Sequence, residues 1–448
     1  MYTGDYLEFA NELVNKSLKS GCDQAEVYLE EGRQFKLEIK DGQVETLKQA
    51  GSKGLGLRIF KNKKLAFGYT SDFDIESVEK LLNDLVVIAG YSDEDECNGL
   101  PSKELPVSDG LEIYDEKILT IPTEKKIEIT KRMEEAAKGY DRRINRFKSS
   151  TFFDWAGSTF LVNSNGVSLQ KKDTYCYIAC VPLAEDGNEK QMSFWYSMKR
   201  YFDELASPEE VGTIAAEKTV KMLGAKPVKT QVVPVVFSPL KTASLCDSLA
   251  TCLGGNSIYR KNSFLVDKIG QQIASDKVNL IDDGLIKKGP GTSPFDGEGV
   301  PTCKKYLIEK GILKNYLFDT FYARKMKAKT TGNASRSYST VPYISTTNLY
   351  IDKGDTDPDD IIKGIDTGLY VTSTMGSGLN ETTGDYSVGA EGFWIEKGTF
   401  VHPVSQVTIS ANFQDMFKNI VEVGNDLYMM DSTFAPTIKI SQMTVSGK

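Results

Sequence analysis

Histidine is nearly missing from this chain: His402, in the run FVHPVSQV, is the single one in 448 residues. A peptidase zinc site needs three protein ligands, commonly imidazoles, and a nearby carboxylate for the proton of the bound water. One histidine excludes a histidine-pair zinc site within the chain and leaves a Ser-His or Cys-His dyad only His402 to use. The plainer reading of His402 is a residue at a strand end, before Pro403. Cysteine is sparse as well. Cys22, Cys97, Cys176, Cys180, Cys246, Cys252 and Cys303 are scattered, odd in number and form no CxxC, which suits reduced, packed thiols. Cys176 and Cys180 would share one face of a strand, a weak signal for zinc or a disulfide. No apolar run nears the ~20 residues that span a bilayer; LLNDLVVIAG carries Asp84 and ends in Gly90. The opening MYTGDYLEFANELV is acidic and amphipathic, unlike a secretory signal, so the expected location is cytoplasmic, with no membrane contact. Positive charge is in deficit, with 54 Lys+Arg against 62 Asp+Glu and a net charge of -8. No direct nucleic-acid binding is expected, because that needs a basic surface to displace counterions. GxSxG and the Walker GxxxxGK[ST] are absent too.

What is present reads as an α+β protein of two domains. Residues 3–19 have the stripe of a helix, with Leu7, Phe9, Ala10, Leu13, Val14 and Leu18 on one side. The runs AEVYLEE, QFKLEIK, VETLKQA, GLGLRIF and LAFGYT then alternate between tight turns, as in an antiparallel meander, and Phe35, Leu37 and Ile39 share a face. A helix follows at about 74–90. Residues 91–122 form an acidic connecting arm. The grammar then repeats: a helix capped by Thr123 to about Lys138, the runs INRFKSSTFFDW, STFLVN, VSLQKKDTYCYIACVPLA and QMSFWYSMKRYF, and a helix opened by Ser207, Pro208 and Glu210 and ended by Gly224. This predicts an N-terminal domain over 1–224 made of a duplicated helix–meander–helix unit, 1–90 and 123–224.

AKPVKTQ, 225–231, reads as a linker to a C-terminal domain over 232–448 built on a large antiparallel sheet. VVPVVF is a buried strand feeding the helix SPLKTASLCDSLATCLGG, which Ser238 can cap, Pro239 suits and Gly254 can end. Leu245, Leu249 and Cys252 give it a buried face. EKG at 309–311 and 396–398 marks two hairpin tips, and DPDD opens a helix over about 358–367. So large a sheet predicts a subunit interface.

Two loops rich in small residues, 329–340 and 373–392, offer backbone groups that can pair with an extended peptide. Thr331, Gly332, Asn333, Arg336, Gly376, Gly378 and Gly384 are the candidate peptide- or partner-binding positions, and ordinary turns are the alternative for both loops. Asp296 and Glu298 in SPFDGEGVPT could bind a cation, but acids in a Gly/Pro loop more commonly serve the turn.

The C-terminal runs NSFLVDKIGQQIAS, SPFDGEGVPTCKKYLIEKGILKNYLFDTFYARK, TTGNASRS and EGFWIEKG…VHPVSQVTISAN resemble the TldD/PmbA family, which also carries the label modulator of DNA gyrase. AEVYLEEGRQFKLEIKDGQVE…GLGLRIF is similar to its first domain. The resemblance implies one of two branches of a heterodimeric metallopeptidase. One branch carries HExxxH on the helix that opens the C-terminal domain and a cysteine near the C-terminus. Here the motif falls on CDSLAT, with Cys246 and Thr251 at the histidine positions and Asp247 at the glutamate, and no cysteine follows Cys303. The resemblance is therefore to the PmbA/TldE branch. It implies a subunit without catalytic residues or a cofactor of its own, zinc being carried by a TldD-like partner, with a homodimer as the other assembly. An extended or unfolded peptide is the expected ligand, and proteolysis or maturation of small proteins the process. The alternatives are a stand-alone metallopeptidase whose atypical site uses Cys246 and Asp247, and a gyrase-associated protein-binding regulator.

Overall fold

The computed structural model describes residues 5–103, 110–376 and 378–447. Residues 3 and 4 of the first expected helix, 104–109 of the acidic arm and Ser377 of the second small-residue loop lie outside them.

The N-terminal half is one sheet with helices on it. In chain order it runs α1 (Tyr6–Lys19), β1 (Gln24–Lys40), β2 (Gln43–Lys61), β3 (Lys64–Thr70), α2 (Ile75–Tyr91), α3 (Thr123–Tyr140), β4 (Ile144–Asn163), β5 (Ser168–Asp186), β6 (Glu189–Met192), β7 (Trp195–Lys199) and α4 (Pro208–Lys221). The strands pair antiparallel in the order β3-β2-β1-β4-β5-β6, with β7 also on β5. The two expected meanders are thus fused. AEVYLEE and QFKLEIK form the single strand β1, and INRFKSSTFFDW and STFLVN form β4. Glycine explains the continuity. Gly32 pairs with Gly157, and the Trp155 indole lies over both, so close that a Cβ at Gly32 would meet Trp155 Cη2 at 2.4 Å. The alternation pauses there while the ladder runs on.

Ala25, Val27 and Leu29 of β1 pack with α1 and α2, and Phe35, Leu37 and Ile39 pack with α3 and α4. The alternate residues Glu26 and Tyr28 meet the C-terminal half: Tyr28 packs with Phe295, and Glu26 binds Arg336. Asp5 caps α1 by accepting from the Leu7 N–H, and Ser207 caps α4 with Pro208 at its start. The helix at 123 departs from expectation: Pro122 holds the cap position and no side chain caps it. The acidic arm is strapped to the C-terminal half by Arg324, whose Nη1 donates to the carbonyls of Cys97 and Gly99 and whose Nη2 donates to that of Leu100.

The C-terminal half continues with β8 (Gln231–Phe237), α5 (Pro239–Leu253), α6 (Gly255–Tyr259), β9 (Leu280–Asp283), β10 (Lys304–Glu309), β11 (Ile312–Leu313), α7 (Thr320–Lys325), β12 (Ala334–Ser335), β13 (Tyr343–Ile344) and β14 (Leu349–Ile351). It closes with α8 (Pro358–Lys363), β15 (Thr367–Met375), β16 (Asp385–Glu396), β17 (Thr399–Asn412), α9 (Phe413–Lys418), β18 (Ile420–Val423), β19 (Thr433–Phe434) and β20 (Ile438–Ser446). One sheet has the order β17-β16-β15-β8-β20-β18 and closes on itself through β17–β20; another has the order β11-β10-β9-β14-β19. Both are mainly antiparallel, with parallel joins at β8–β15 and β14–β19. The overall architecture is α+β. Both EKG turns are hairpin tips, with Gly311 and Gly398 in the left-handed region. Helix α8 is shorter than expected because Gly364 closes it and the backbone N–H groups of Lys397 and Gly398 take the carbonyls of Asp366 and Ile365.

Candidate functional site

Helix α5 sits between the two C-terminal sheets, touching β8 and β15 of one and β14 and β19 of the other. Ser238 has the extended backbone of an N-cap, but its hydroxyl makes no capping bond; Pro239 in the first turn has no N–H to satisfy. Leu245, Cys246, Leu249, Cys252 and Leu253 enter the main core. The opposite face, with Leu240, Lys241, Ser244 and Asp247, lines a cavity of ≈ 1000 Å³ between the two halves of the molecule. Ser244, Ser248 and Thr251 each donate a hydroxyl bond to the carbonyl four residues back.

The three motif positions therefore point three ways. Successive residues on a helix turn by about 100°. Cys246 is 0 % exposed and lies in the core, where burial, with Asp247 adding to it, pushes the thiol pKa far up. Asp247 reaches the cavity, and its Oδ1 accepts from Thr433 Oγ1 at 2.6 Å. Its carboxyl pKa is raised by withdrawal from solvent, lowered by the Thr433 bond and raised by Asp431. Thr251 is exposed, outside the cavity wall, and bonded to its own helix. This donor set does not fit zinc: the soft ligand is protonated and turned away, and a threonine hydroxyl is a poor ligand. Among the described residues no group of three or more His, Cys, Asp or Glu side chains is placed to hold a metal ion.

Around Asp247 the cavity wall comes from both halves. Phe194 and Tyr196 stack with centroids 6.2 Å apart, joined by Met192 and by Glu217, Lys218 and Lys221 of α4. The C-terminal half adds Tyr370, Phe393 and Phe400, whose rings meet at 5.3 and 5.5 Å, with Glu391, His402 and Asp431. Burial raises Glu391 and lowers Lys218 and Lys241. His402 keeps its strand position opposite Trp394 and its Nδ1 lies 2.9 Å from the Pro403 carbonyl oxygen, yet it also faces the cavity. Sequence reasoning passed over this aromatic and charged wall. The signal was present in QMSFWYSM and GTFVHP, whose apolar residues outnumber what one buried strand face needs.

The small-residue loops lie elsewhere. Thr331 caps the Phe318 backbone through its hydroxyl. Gly332, in the left-handed region, packs on the Pro301 carbonyl. Asn333 and Arg336 are buried, Asn333 on Asp282 and Ser345, and Arg336 on Glu26. Gly376, Gly378 and Gly384 have positive φ in the connection from β15 to β16, where Asn380 organises the turn. None of these seven residues lines the large cavity. Asp296 serves its turn, accepting from the N–H groups of Glu298, Val300 and Ala334, while Glu298 binds Arg58 and the Thr320 N–H. Cys176 and Cys180 are free and buried.

Known proteins share this fold and resemble the sequence. Three family models match in order: PmbA/TldA metallopeptidase domain 1 at residues 25–89, the central domain at 116–223 and the C-terminal domain at 230–447. Metalloprotease PmbA of Escherichia coli is 30% identical over 432 residues, spanning 96% of this chain and 94% of its own. A TldD homolog of Buchnera aphidicola is 32% identical over 242 residues, 50% of each chain. A solved Bacteroides thetaiotaomicron structure, described as a candidate modulator of DNA gyrase, superposes with a TM-score of 0.91 at 28% identity over 100% of both chains. TldE of Thermococcus kodakarensis gives 0.88 at 21% identity over 98% of this chain and 99% of its own, which speaks to the fold alone.

Proposed function

The chain belongs to the PmbA/TldD metallopeptidase family, and from that premise we propose that it is the TldE-like subunit of a cytoplasmic two-subunit peptidase. It holds no catalytic zinc itself. A TldD-like partner supplies the zinc and the hydrolytic residues, and this chain closes the chamber and holds an extended or unfolded peptide on its way to proteolysis or maturation. The observation that carries the reading is the direction of the motif residues on α5: Cys246 in the core, Asp247 in the cavity on Thr433, Thr251 outside it. The cavity supports the peptide part. Phe194 and Phe400, 50% and 49% exposed, face it from opposite halves and offer surface to apolar side chains. Strand β7 has β5 as its one strand partner among the described residues, so its other edge can take an extended peptide as an added strand. No helix among the described residues is long and apolar enough to cross a membrane.

Co-purification with an HExxxH-bearing relative tests this, followed by peptidase assays of each chain alone and together. The pair is expected to cleave an unstructured peptide and this chain alone is not. Hydrolysis by the chain alone, or stoichiometric zinc that is lost in Cys246→Ala, would overturn the reading.

A further inference from the structure

A second cavity, of ≈ 230 Å³, lies between the two halves. Lys171 and Asp173 of β5, Arg200, the loop 290–302 and Asn333 to Arg336 form its wall. Three cations converge on it. Arg336 is 7% exposed, its Nη1 binds Glu26, and its plane lies over the Tyr28 ring at 4.6 Å. Its Nε and Nη2 have no hydrogen-bond partner among the described residues. Those two N–H groups sit on one edge of the guanidinium and point in parallel, the arrangement that grips both oxygens of a carboxylate. Arg58 shows such an edge in use, with Nε and Nη2 on the two oxygens of Glu26 at 3.0 and 3.1 Å.

The other two cations feel carboxylates only across space: Asp173, Glu30 and Asp296 act on Lys171, and Asp173 acts on Arg200. Arg200, 6% exposed, spends its N–H groups on the carbonyls of Thr174, Gly289, Pro290 and Thr292. Lys171 donates to Ser293 Oγ at 2.9 Å. Neither forms an ion pair among the described residues, and burial pulls both pKa values down. The acids nearby are engaged. Asp296 takes three backbone N–H groups, Asp173 accepts from Trp155 Nε1 and Glu30 from the Tyr338 N–H. Asn333, 1% exposed, adds an acceptor, its Oδ1, that has no partner either. Ser345 and Thr346 line both this cavity and the large one.

We propose that this cavity binds a carboxylate that bears a neighbouring N–H, as in an N-acylated amino acid or the last residue of a peptide. The unpartnered edge of Arg336, buried in the wall, takes the two oxygens, Lys171 and Arg200 supply charge, and the equally buried Asn333 Oδ1 accepts the N–H. At ≈ 230 Å³ against ≈ 1000 Å³ for the larger cavity, the space suits one small residue and not a longer peptide segment. The two sources share one chemistry: a free acyl amino acid, or the C-terminus of a peptide that reaches in past Ser345 and Thr346. The site does not depend on a catalytic partner or on the proposed role in proteolysis.

Calorimetric titration of the full chain with N-acetylglycine, its neutral amide twin, inorganic phosphate, and an unstructured decapeptide as free acid and as C-terminal amide tests the proposal. Saturable binding of N-acetylglycine is expected, at least tenfold weaker for the amide and for phosphate. Binding of the decapeptide acid but not its amide would identify the peptide terminus as a source; binding of N-acetylglycine alone would identify the free acid. Arg336→Lys keeps a charge opposite Glu26 but loses the paired edge, and Lys171→Met breaks no ion pair; each should weaken binding tenfold or more. Should Arg336→Lys fail to fold, Lys171→Met carries the test alone. Equal affinity for acid and amide, tighter binding of phosphate, no binding at all, or unchanged affinity in Lys171→Met would overturn it.

Discussion

Cys246 and Asp247 are neighbours in sequence that live in different solvents. One turn step on α5 puts the thiol in the core and the carboxylate in a cavity. Native-state alkylation, read by mass spectrometry, should therefore label exposed Cys303 first and leave Cys246 untouched until unfolding. Cys246→His would force a larger, polar ring into a filled site. We expect a loss of about 1–3 kcal/mol in urea unfolding and no gain of zinc, since Asp247 and Thr251 cannot join it. Asp319 is a pH-sensitive residue, as is Asp296, whose carboxyl is pushed up to about 7 by burial and by Glu298. Asp319 caps α7 by accepting from the Tyr322 N–H, and burial, with Glu298 beside it, pushes its carboxyl from 3.8 up to about 6. A raised acid binds its proton more tightly in the folded state, so its contribution is full below pH about 4 and is lost as pH rises through about 6. Asp319→Asn keeps an acceptor for the cap and removes the titration. The fall in stability of the natural chain between pH 4 and 6 should be smaller in the variant, by on the order of 1–3 kcal/mol, when unfolding is measured across that range.

At the scale of elements, the longer helices and the long strand β5 were legible, and β1 and β4 were not. The apolar stripes of α1 and α2 and the Ser207 cap of α4 place these helices, although α1 starts at Tyr6, behind the Asp5 cap, later than the stripe implies. β1 and β4 read as pairs of short strands because the alternation breaks near Gly32 and Gly157, and only the packing of Trp155 over both shows why the ladder continues. The short helices α6, α7 and α9 carry too few residues for a period to show, and α8 ends early because Gly364 closes it and a hairpin claims the carbonyls of Ile365 and Asp366 beyond it. Glycine in β16 gives a further test. A Cβ at Gly392 would meet the Tyr370 carbonyl oxygen at 1.8 Å, a backbone atom that cannot step aside. Gly392→Ala should cost more than about 2 kcal/mol of stability, visible in thermal or urea unfolding, and should disturb the sheet that carries Glu391 and Phe393 to the cavity.

The whole molecule is held at the boundary between its halves by buried charge. Arg58 lies between Glu26 and Glu298, and Arg336 also reaches Glu26. Arg58→Met would leave two buried carboxylates with one cation, a loss of about 3–5 kcal/mol, measurable as a drop in unfolding free energy. Arg324→Ala should free the acidic arm, seen as faster cleavage within 91–103 under limited proteolysis, with the core intact. The sequence by itself determined what the chain cannot do: a single histidine rules out a histidine-pair zinc site whatever the fold, because ligand chemistry is a matter of residue type. It also determined the alternating and helical faces, which follow from local periodicity. Only the tertiary structure decided where those faces meet. Asp247, Phe194 and the β17 pair Phe400 and His402 share one cavity, and Lys171, Arg200 and Arg336 another, although these segments lie apart along the chain. Those neighbourhoods come from packing two separate halves against each other, and no local pattern of residues encodes that distance.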